Sequence, residues 1–254
     1  MPYIHDYCDR WCARCQLTSR CLSHAVEKWI TARKDLPLAD GYESLSFSLE
    51  EEAIYAIARD RGATPESLLG EDQLEGTREE LEKAEGDEDD DEAFSLLREQ
   101  DVYYCFCIYE LLIDEQQESL YEMLDRIEDN AGDLERVRRV EESLSEVNWY
   151  MDLLYSKLKR AYYACSVPVM ALADAAGSAK VALLAADASV KAWTVLRDEL
   201  PEVCAKINWI VVTLEQIREE LTTRFPGAVG FKRPGFDSEK PARGRKRAAT
   251  GRWI

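Results

Sequence analysis

Between Ala93 and Phe225 apolar residues return at steps of three and four, the spacing that lines one face of an α-helix. The longest run is Leu134, Val137, Val140, Leu144, Val147, Met151, Leu154, Leu158, Ala161 and Cys165, a continuous stripe. Val203, Ile207, Ile210, Leu214, Ile217 and Leu221 form another after Pro201, a residue suited to the first turn of a helix. Leu172, Ala176, Ala179, Leu183, Ala186, Val190, Trp193 and Leu200 make a third, whose small members let a neighbour approach closely. A first segment, about Ala93 to Asp129, carries Leu97, Tyr104, Leu111, Leu120, Leu124 and Ile127. The only Gly and Pro residues in the stretch are Gly132, Pro168, Gly177 and Pro201, and three of these stand where one pattern gives way to the next. Four long helices with short connections pack antiparallel, so the expected fold class is all-α, an up-and-down four-helix bundle.

The N-terminal third has a different texture and is expected to form a small helical, cysteine-rich cap. Its cysteines are followed by a helical stretch, Leu22–Lys34. Ser48 with Glu51 three residues on reads as a capping box opening a helix to about Arg61, and Thr64-Pro65-Glu66 starts a shorter one. Glu71–Glu92 holds thirteen acidic residues against two basic ones, the composition of a solvated linker. The chain therefore divides into a cap (1–70), an acidic linker (71–92), a bundle (93–226) and a basic tail (227–254) expected to lack order.

Charge narrows the partners. The 254 residues carry a net charge of −18, but Phe231–Ile254 alone holds eight Lys/Arg against Asp237 and Glu239, a net +6, which leaves −24 on everything before it. So acidic a body repels nucleic acid backbone and anionic membranes. The tail, with Arg243-Gly-Arg245-Lys246-Arg247, is expected to bind nucleic acid weakly at most, because the protein's own acidic surface competes for it. No apolar run approaches the ~18 residues of a membrane span. The opening MPYIHDYCDRWC has neither a basic n-region nor an apolar h-region, so a cytoplasmic location is expected. In a reducing compartment clustered cysteines are read as metal ligands rather than as a disulfide framework.

Four of the eight cysteines are so clustered, in Cys8-Asp-Arg-Trp-Cys12-Ala-Arg-Cys15-Gln-Leu-Thr-Ser-Arg-Cys21. A helical turn would put Cys8, Cys12 and Cys15, at i, i+4 and i+7, on one face, and Cys21 would close a fourth corner after the turn through Gln16–Arg20. Four thiolates suit a cubane [4Fe-4S] cluster or a zinc ion. Structural zinc usually draws on two separated knuckles, whereas these ligands come from one continuous piece, which favours the larger cluster. Arg10, Arg14 and Arg20 are interleaved with the ligands and favour an anionic, reduced centre, while Tyr7, Trp11 and Leu17 offer apolar cover.

The sub-pattern Cys12-x2-Cys15-x5-Cys21 resembles the cluster loop of endonuclease III-type DNA glycosylases, and a similar CxxCx5C piece occurs in the iron-staple nucleases linked to CRISPR systems and recombination helicases. The resemblance implies a [4Fe-4S] cofactor. It does not extend to activity: neither a helix–hairpin–helix glycine motif with a catalytic aspartate nor an Asp…Glu-x-Lys nuclease core is present, and Cys8 stands nearer to Cys12 than its glycosylase counterpart. Cys8, Cys12 and Cys15 also spell CxxxCxxC, the radical-SAM spacing, but that family needs a β/α barrel and an open iron, and here the chain is helical and supplies a fourth cysteine.

Other candidates carry less. Cys105 and Cys107, two apart on a helix, cannot chelate together, and Cys165 and Cys204 read as small buried hydrophobes. His5 and His24 flank the cysteines at three residues and read as hydrogen-bonding neighbours that could stand in for a ligand. Glu115, Glu118, Glu122 and Asp125 share a helical face and are the residues a magnesium-dependent all-α nucleotide hydrolase would use. Asp174, Lys180, Asp187 and Lys191 are polar positions on the alanine-rich helix, with Asp187 and Lys191 spaced to pair. The leading expectation is an iron–sulfur protein with a structural or redox role and a protein redox partner. The alternatives are a zinc-stapled protein-interaction module and the nucleotide hydrolase.

Overall fold

The structure, a computed structural model, describes residues 7–32, 42–69, 95–129, 133–166 and 172–237. The acidic linker (71–92), the tail from residue 238 on and His5 lie outside the described residues. Every regular element among the described residues is helical: α1 (Leu22–Thr31), α2 (Tyr42–Arg61), α3 (Pro65–Leu69), α4 (Asp101–Asp129), α5 (Leu134–Ser166), α6 (Leu172–Glu199), α7 (Cys204–Arg224) and α8 (Pro226–Gly230), with short 3-10 turns at Cys12–Arg14, Thr18–Arg20 and Pro201–Val203. The all-α class holds. No helix among the described residues is long and apolar enough to cross a membrane.

The four long helices share one core, in which α5 packs on α6, α6 on α7, α7 on α4 and α4 on α5. The α5–α6 contact is the most extensive. Its closeness follows from composition, since α6 buries Ala175, Ala179, Ala182, Ala185, Ala186, Ser178 and Ser189. Ion pairs fix the antiparallel sense of α5 and α6 at both ends. At one end Arg139 reaches the Glu199 carboxylate at 2.6 Å, and at the other Arg160 holds Asp174 at 3.0 Å. Trp193, fully buried on α6, donates its indole N–H to the Tyr109 hydroxyl of α4 at 3.4 Å, and Phe106 of α4 stacks on Tyr155 of α5 with centroids 5.2 Å apart. The stripe expected on α7 is buried throughout, from Val203 to Leu221.

Three expectations are corrected. On α4 the buried face is Val102, Phe106, Tyr109, Ile113, Gln116, Leu120 and Leu124, whereas Tyr104 is 65% and Leu111 58% exposed. Apolar residues surround this helix between Val102 and Ile113, so periodicity alone admits more than one phase. The helix also begins at Asp101 rather than near Ala93, because the chain turns at Glu99–Gln100 to bring Leu97 into the core. Finally, α2 starts at Tyr42, six residues before Ser48, so the Ser48/Glu51 pair lies inside it; nothing after Gly41 breaks a helix. By contrast Thr64 does cap α3: its hydroxyl accepts from the Ser67 N–H at 3.3 Å, and the Ser67 hydroxyl accepts from the Thr64 N–H at 3.1 Å.

Helices α1 and α2 build a second, small core of Leu22, Ala53 and Ile57, flanked by Val26, Trp29, Ile30 and Leu68. The cysteine-bearing segment lies between this core and the long helices.

Candidate metal centre

Residues 7–21 do not form the helical face that the cysteine spacing implies. They fold instead as two matching turns. In the first, Cys12–Arg14 makes a 3-10 turn that ends on Cys15, whose N–H bonds back to the Cys12 carbonyl at 3.2 Å. In the second, Thr18–Arg20 does the same and ends on Cys21, whose N–H bonds back to the Thr18 carbonyl at 3.3 Å. Cys15 and Cys21 share the same extended backbone, φ −81° with ψ 128° and 127°. Cys21 then serves as the N-cap of α1. A repeated turn, rather than a helical face, delivers the thiols.

Three of the four sulfurs accept backbone N–H groups: Cys8 from Arg10 at 3.3 Å, Cys15 from Leu17 at 3.4 Å and Cys21 from His24 at 3.5 Å. The first of these needs Arg10 at φ 56°, a left-handed conformation rare for a residue with a side chain. The same strained turn lets the Arg10 carbonyl accept from the Cys12 N–H at 2.9 Å. Oriented amides aimed at sulfur lower the energy of a thiolate.

All four cysteines line one small cavity, together with Asp9, Arg10, Trp11, Thr18 and His24. Cys8 and Cys21 are buried, Cys12 and Cys15 partly so. Burial pushes the Cys8 thiol up from its ordinary value; the Arg10 N–H and the Lys157 ammonium pull the other way. Cys12 is also raised, first by burial and then by the negative charges of Glu27, Cys8, Cys21 and Cys15. A cation among these groups would reverse both penalties, because thiolate ligands need a counter-charge in a desolvated site.

The expected apolar cover is used to dock the segment. Trp11, beside the cavity, packs on Trp149 and Tyr150 of α5 with centroids 5.1 and 5.9 Å away. The Trp149 indole N–H donates to the Asp9 carbonyl at 2.8 Å. Arg14 lies 3.9 Å over the Trp11 ring and pairs with Glu146 of α5, so its charge is already engaged. Tyr7 sits against α6, its ring 5.1 Å from Phe231 and its hydroxyl donating to Asp174 at 3.3 Å. Gly177, inside α6, makes room for it: a Cβ there would fall 2.2 Å from the Tyr7 ring.

The remaining sequence candidates do not converge on a site. Glu115, Glu118, Glu122 and Asp125 are exposed on α4, and Glu122 pairs with Arg126 at 3.2 Å. The polar residues of α6 are each taken by a different element: Asp174 by Tyr7 and Arg160, Lys180 by the Val229 carbonyl, and Asp187 by Arg218 of α7 at 2.7 Å rather than by Lys191. Cys105 packs against the core, but Cys165 and Cys204, each near the end of its helix, are exposed, contrary to expectation. Sequence reasoning passed over Lys157, 3% exposed on α5 and an electrostatic neighbour of Cys8, and Glu27, one turn beyond His24 on α1. The spacing His24-x-x-Glu27 was the available signal for the latter.

No protein-family model, curated protein or solved structure matches the chain.

Proposed function

We propose that Cys8, Cys12, Cys15 and Cys21 hold an iron–sulfur cluster, of the [4Fe-4S] type, in a cap docked on an up-and-down four-helix bundle, and that the protein's role is structural or redox. The observation that carries this reading is the convergence of four thiols from two matching turns on one cavity, with backbone amides directed at three of the sulfurs. The spacing of the sulfurs does not match a single tetrahedral zinc. Tetrahedral zinc, with Zn–S near 2.3 Å, brings its sulfurs to about 3.8 Å from one another. Among the described residues no three of these four sulfurs lie within 4.8 Å of one another. Four irons bridged by sulfides hold their thiolates farther apart.

Such a cluster supplies one-electron transfer and ties its ligands together. Around it, Lys157 places a buried positive charge near Cys8, Trp11 and the adjoining α5 surface limit water, and the amides of Arg10, Leu17 and His24 stabilise charge on sulfur. The test is anaerobic purification followed by iron and sulfide analysis. The expected outcome is about four irons per chain with broad visible absorption, lost in C8S, C12S, C15S and C21S variants. Colourless protein with one zinc bound by the four thiols refutes it. In C12S, limited proteolysis should cut within 7–32 while the long helices stay intact.

A further inference from the structure

We propose that Cys12, His24 and Glu27 form a second metal site, for a single divalent cation of zinc type, that shares Cys12 with the four-thiol set. The juxtaposition is specific. One ligand atom from each of the three lies within 4.8 Å of the other two, and no other group of three Cys, His, Asp or Glu residues among the described residues meets that spacing. Where the four thiols are too widely spread for one ion, these three are close enough.

Local structure explains the arrangement. His24 and Glu27 stand three apart on α1, hence on one face, and Cys12 faces them from the first 3-10 turn. Cys21 caps α1 and so fixes the register of both. Independently, the Nδ1 atom of His24 is buried and has no hydrogen-bond partner among the described residues. A buried imidazole nitrogen left without a partner is energetically unfavourable, and a metal ion would satisfy it. His24 lines the same cavity as Cys12, and Glu27 stands at its solvent side, exposed on α1.

Charge and donor type select the ion. A thiolate and a carboxylate together carry two negative charges and the neutral imidazole adds none, so a divalent cation gives a neutral site; four thiolates around the same ion would leave a net −2. Mixed sulfur, nitrogen and oxygen donors suit zinc, and three protein ligands leave a fourth position for water. The site itself stands without the cluster. That the two centres exclude each other, because Cys12 cannot serve both, rests on the cluster reading. The segment would then carry a cluster when iron and sulfide are supplied and a zinc ion when they are not.

The experiment uses the full chain, metal-free and reduced, titrated with Co2+ as a spectroscopic stand-in for zinc. In a C8S/C15S/C21S background, one Co2+ per chain should bind with the charge-transfer band of a single thiolate and ligand-field bands of a four-coordinate site. Adding H24A or E27Q should weaken binding by about tenfold or more. Binding unaffected by both substitutions, or no stoichiometric uptake by a triple variant of unchanged helicity, overturns the proposal. Should the triple variant lose helicity, X-ray absorption on wild-type chain loaded with one zinc decides: a mixed sulfur, nitrogen and oxygen shell supports the site and an all-sulfur shell overturns it. Iron loading of H24A separates the two proposals, since the cluster absorption should survive there and vanish in C8S. An H24A variant that binds no cluster would place His24 among the cluster's own ligands and overturn the separate site.

Discussion

Replacing Gly177 with alanine sets two effects of opposite sign against each other. Glycine within a helix is less stable than alanine by about 1 kcal/mol, so on propensity alone G177A strengthens α6. The structure reverses that expectation. The new Cβ would lie 2.2 and 2.7 Å from two carbons of the Tyr7 ring and 2.9 Å from the tip of Phe231, separations that no packed methyl group tolerates. Tyr7 must leave. With it go an aromatic pair worth about 0.5–1.5 kcal/mol and a hydrogen bond to the Asp174 carboxylate worth about 1.5 kcal/mol at its 3.3 Å length. Docking of the cysteine-bearing segment should weaken by roughly 2–3 kcal/mol, a thirtyfold or greater rise in its opening constant. The long helices themselves should be unchanged or stabilised by up to about 1 kcal/mol.

Native-state hydrogen exchange resolves the two parts, because local opening and global unfolding are read at different amides. In G177A the amides of 7–32 should exchange at least ~30-fold faster while those of α5 and α6 keep their protection. The decisive variant is the double one. In a Y7A background the obstruction has gone and Phe231 has room to yield, so G177A should now stabilise the protein, a change of sign that only direct contact produces. A single G177A variant that stabilises the protein and leaves exchange in 7–32 untouched would refute the placement of Tyr7.

Lys157→Met keeps side-chain volume but removes the positive charge near Cys8; on the cluster reading the reduction potential should fall by roughly tens of millivolts, measured by redox titration with visible detection, and an unchanged potential refutes the coupling. Burial raises the Tyr162 phenol to about 12, while the unfolded chain ionises near 10, so stability is whole below pH 10 and declines as pH rises towards about 12. Urea midpoints across that range should fall for the wild type and stay flatter for Y162F. The Asp237 carboxyl is held below its ordinary value by hydrogen bonds from Arg233, so its contribution is full above the ordinary carboxylate range and is lost as pH falls through the folded value. D237N should free the stretch that carries Phe231, detectable as faster exchange of the 231–237 amides at neutral pH and no difference from wild type in strong acid.

Periodicity located the long helices because each buries a stripe on a core supplied by its neighbours, and it succeeded best where the stripe was narrow. On α7 the three-four stripe from Val203 to Leu221 is buried throughout, while Trp209 and Val212, which lie off it, are exposed. On α4 it failed between Val102 and Ile113, where apolar side chains cover the whole circumference and the choice of face is made by α5 and α7 rather than by the helix. Gln116, buried at 1% exposure, continues the true face in a residue that no apolar pattern includes. Gly177 stood out as the one glycine or proline that interrupted a helical pattern, and its reason is a side chain 170 positions away in the sequence. The cysteine spacing located the candidate ligands but misjudged their scaffold, since i, i+4, i+7 spacing describes a helix and the segment folds into two 3-10 turns. Arg10 was equally illegible: nothing in its identity announces a left-handed backbone, which is forced by the amide directed at Cys8.

On the proposed reading, the position of the cysteines between two cores gives metal ligation a structural task. The α1–α2 core has three buried residues, far too few to repay the conformational entropy of the helices that form it. On one side, the segment is continuous with α1 through the Cys21 cap; on the other, Tyr7, Trp11 and Arg14 fasten it to α5 and α6. Between those fastenings, residues 8–21 have only two short turns and one strained residue of their own. Small elements with too little core are stabilised in proteins by metals or disulfides, and here the free thiols line a single cavity. Ligation would therefore act at the junction: it closes the loop from Cys8 to Cys21, fixes the start of α1, and so holds the small core in place against the large one.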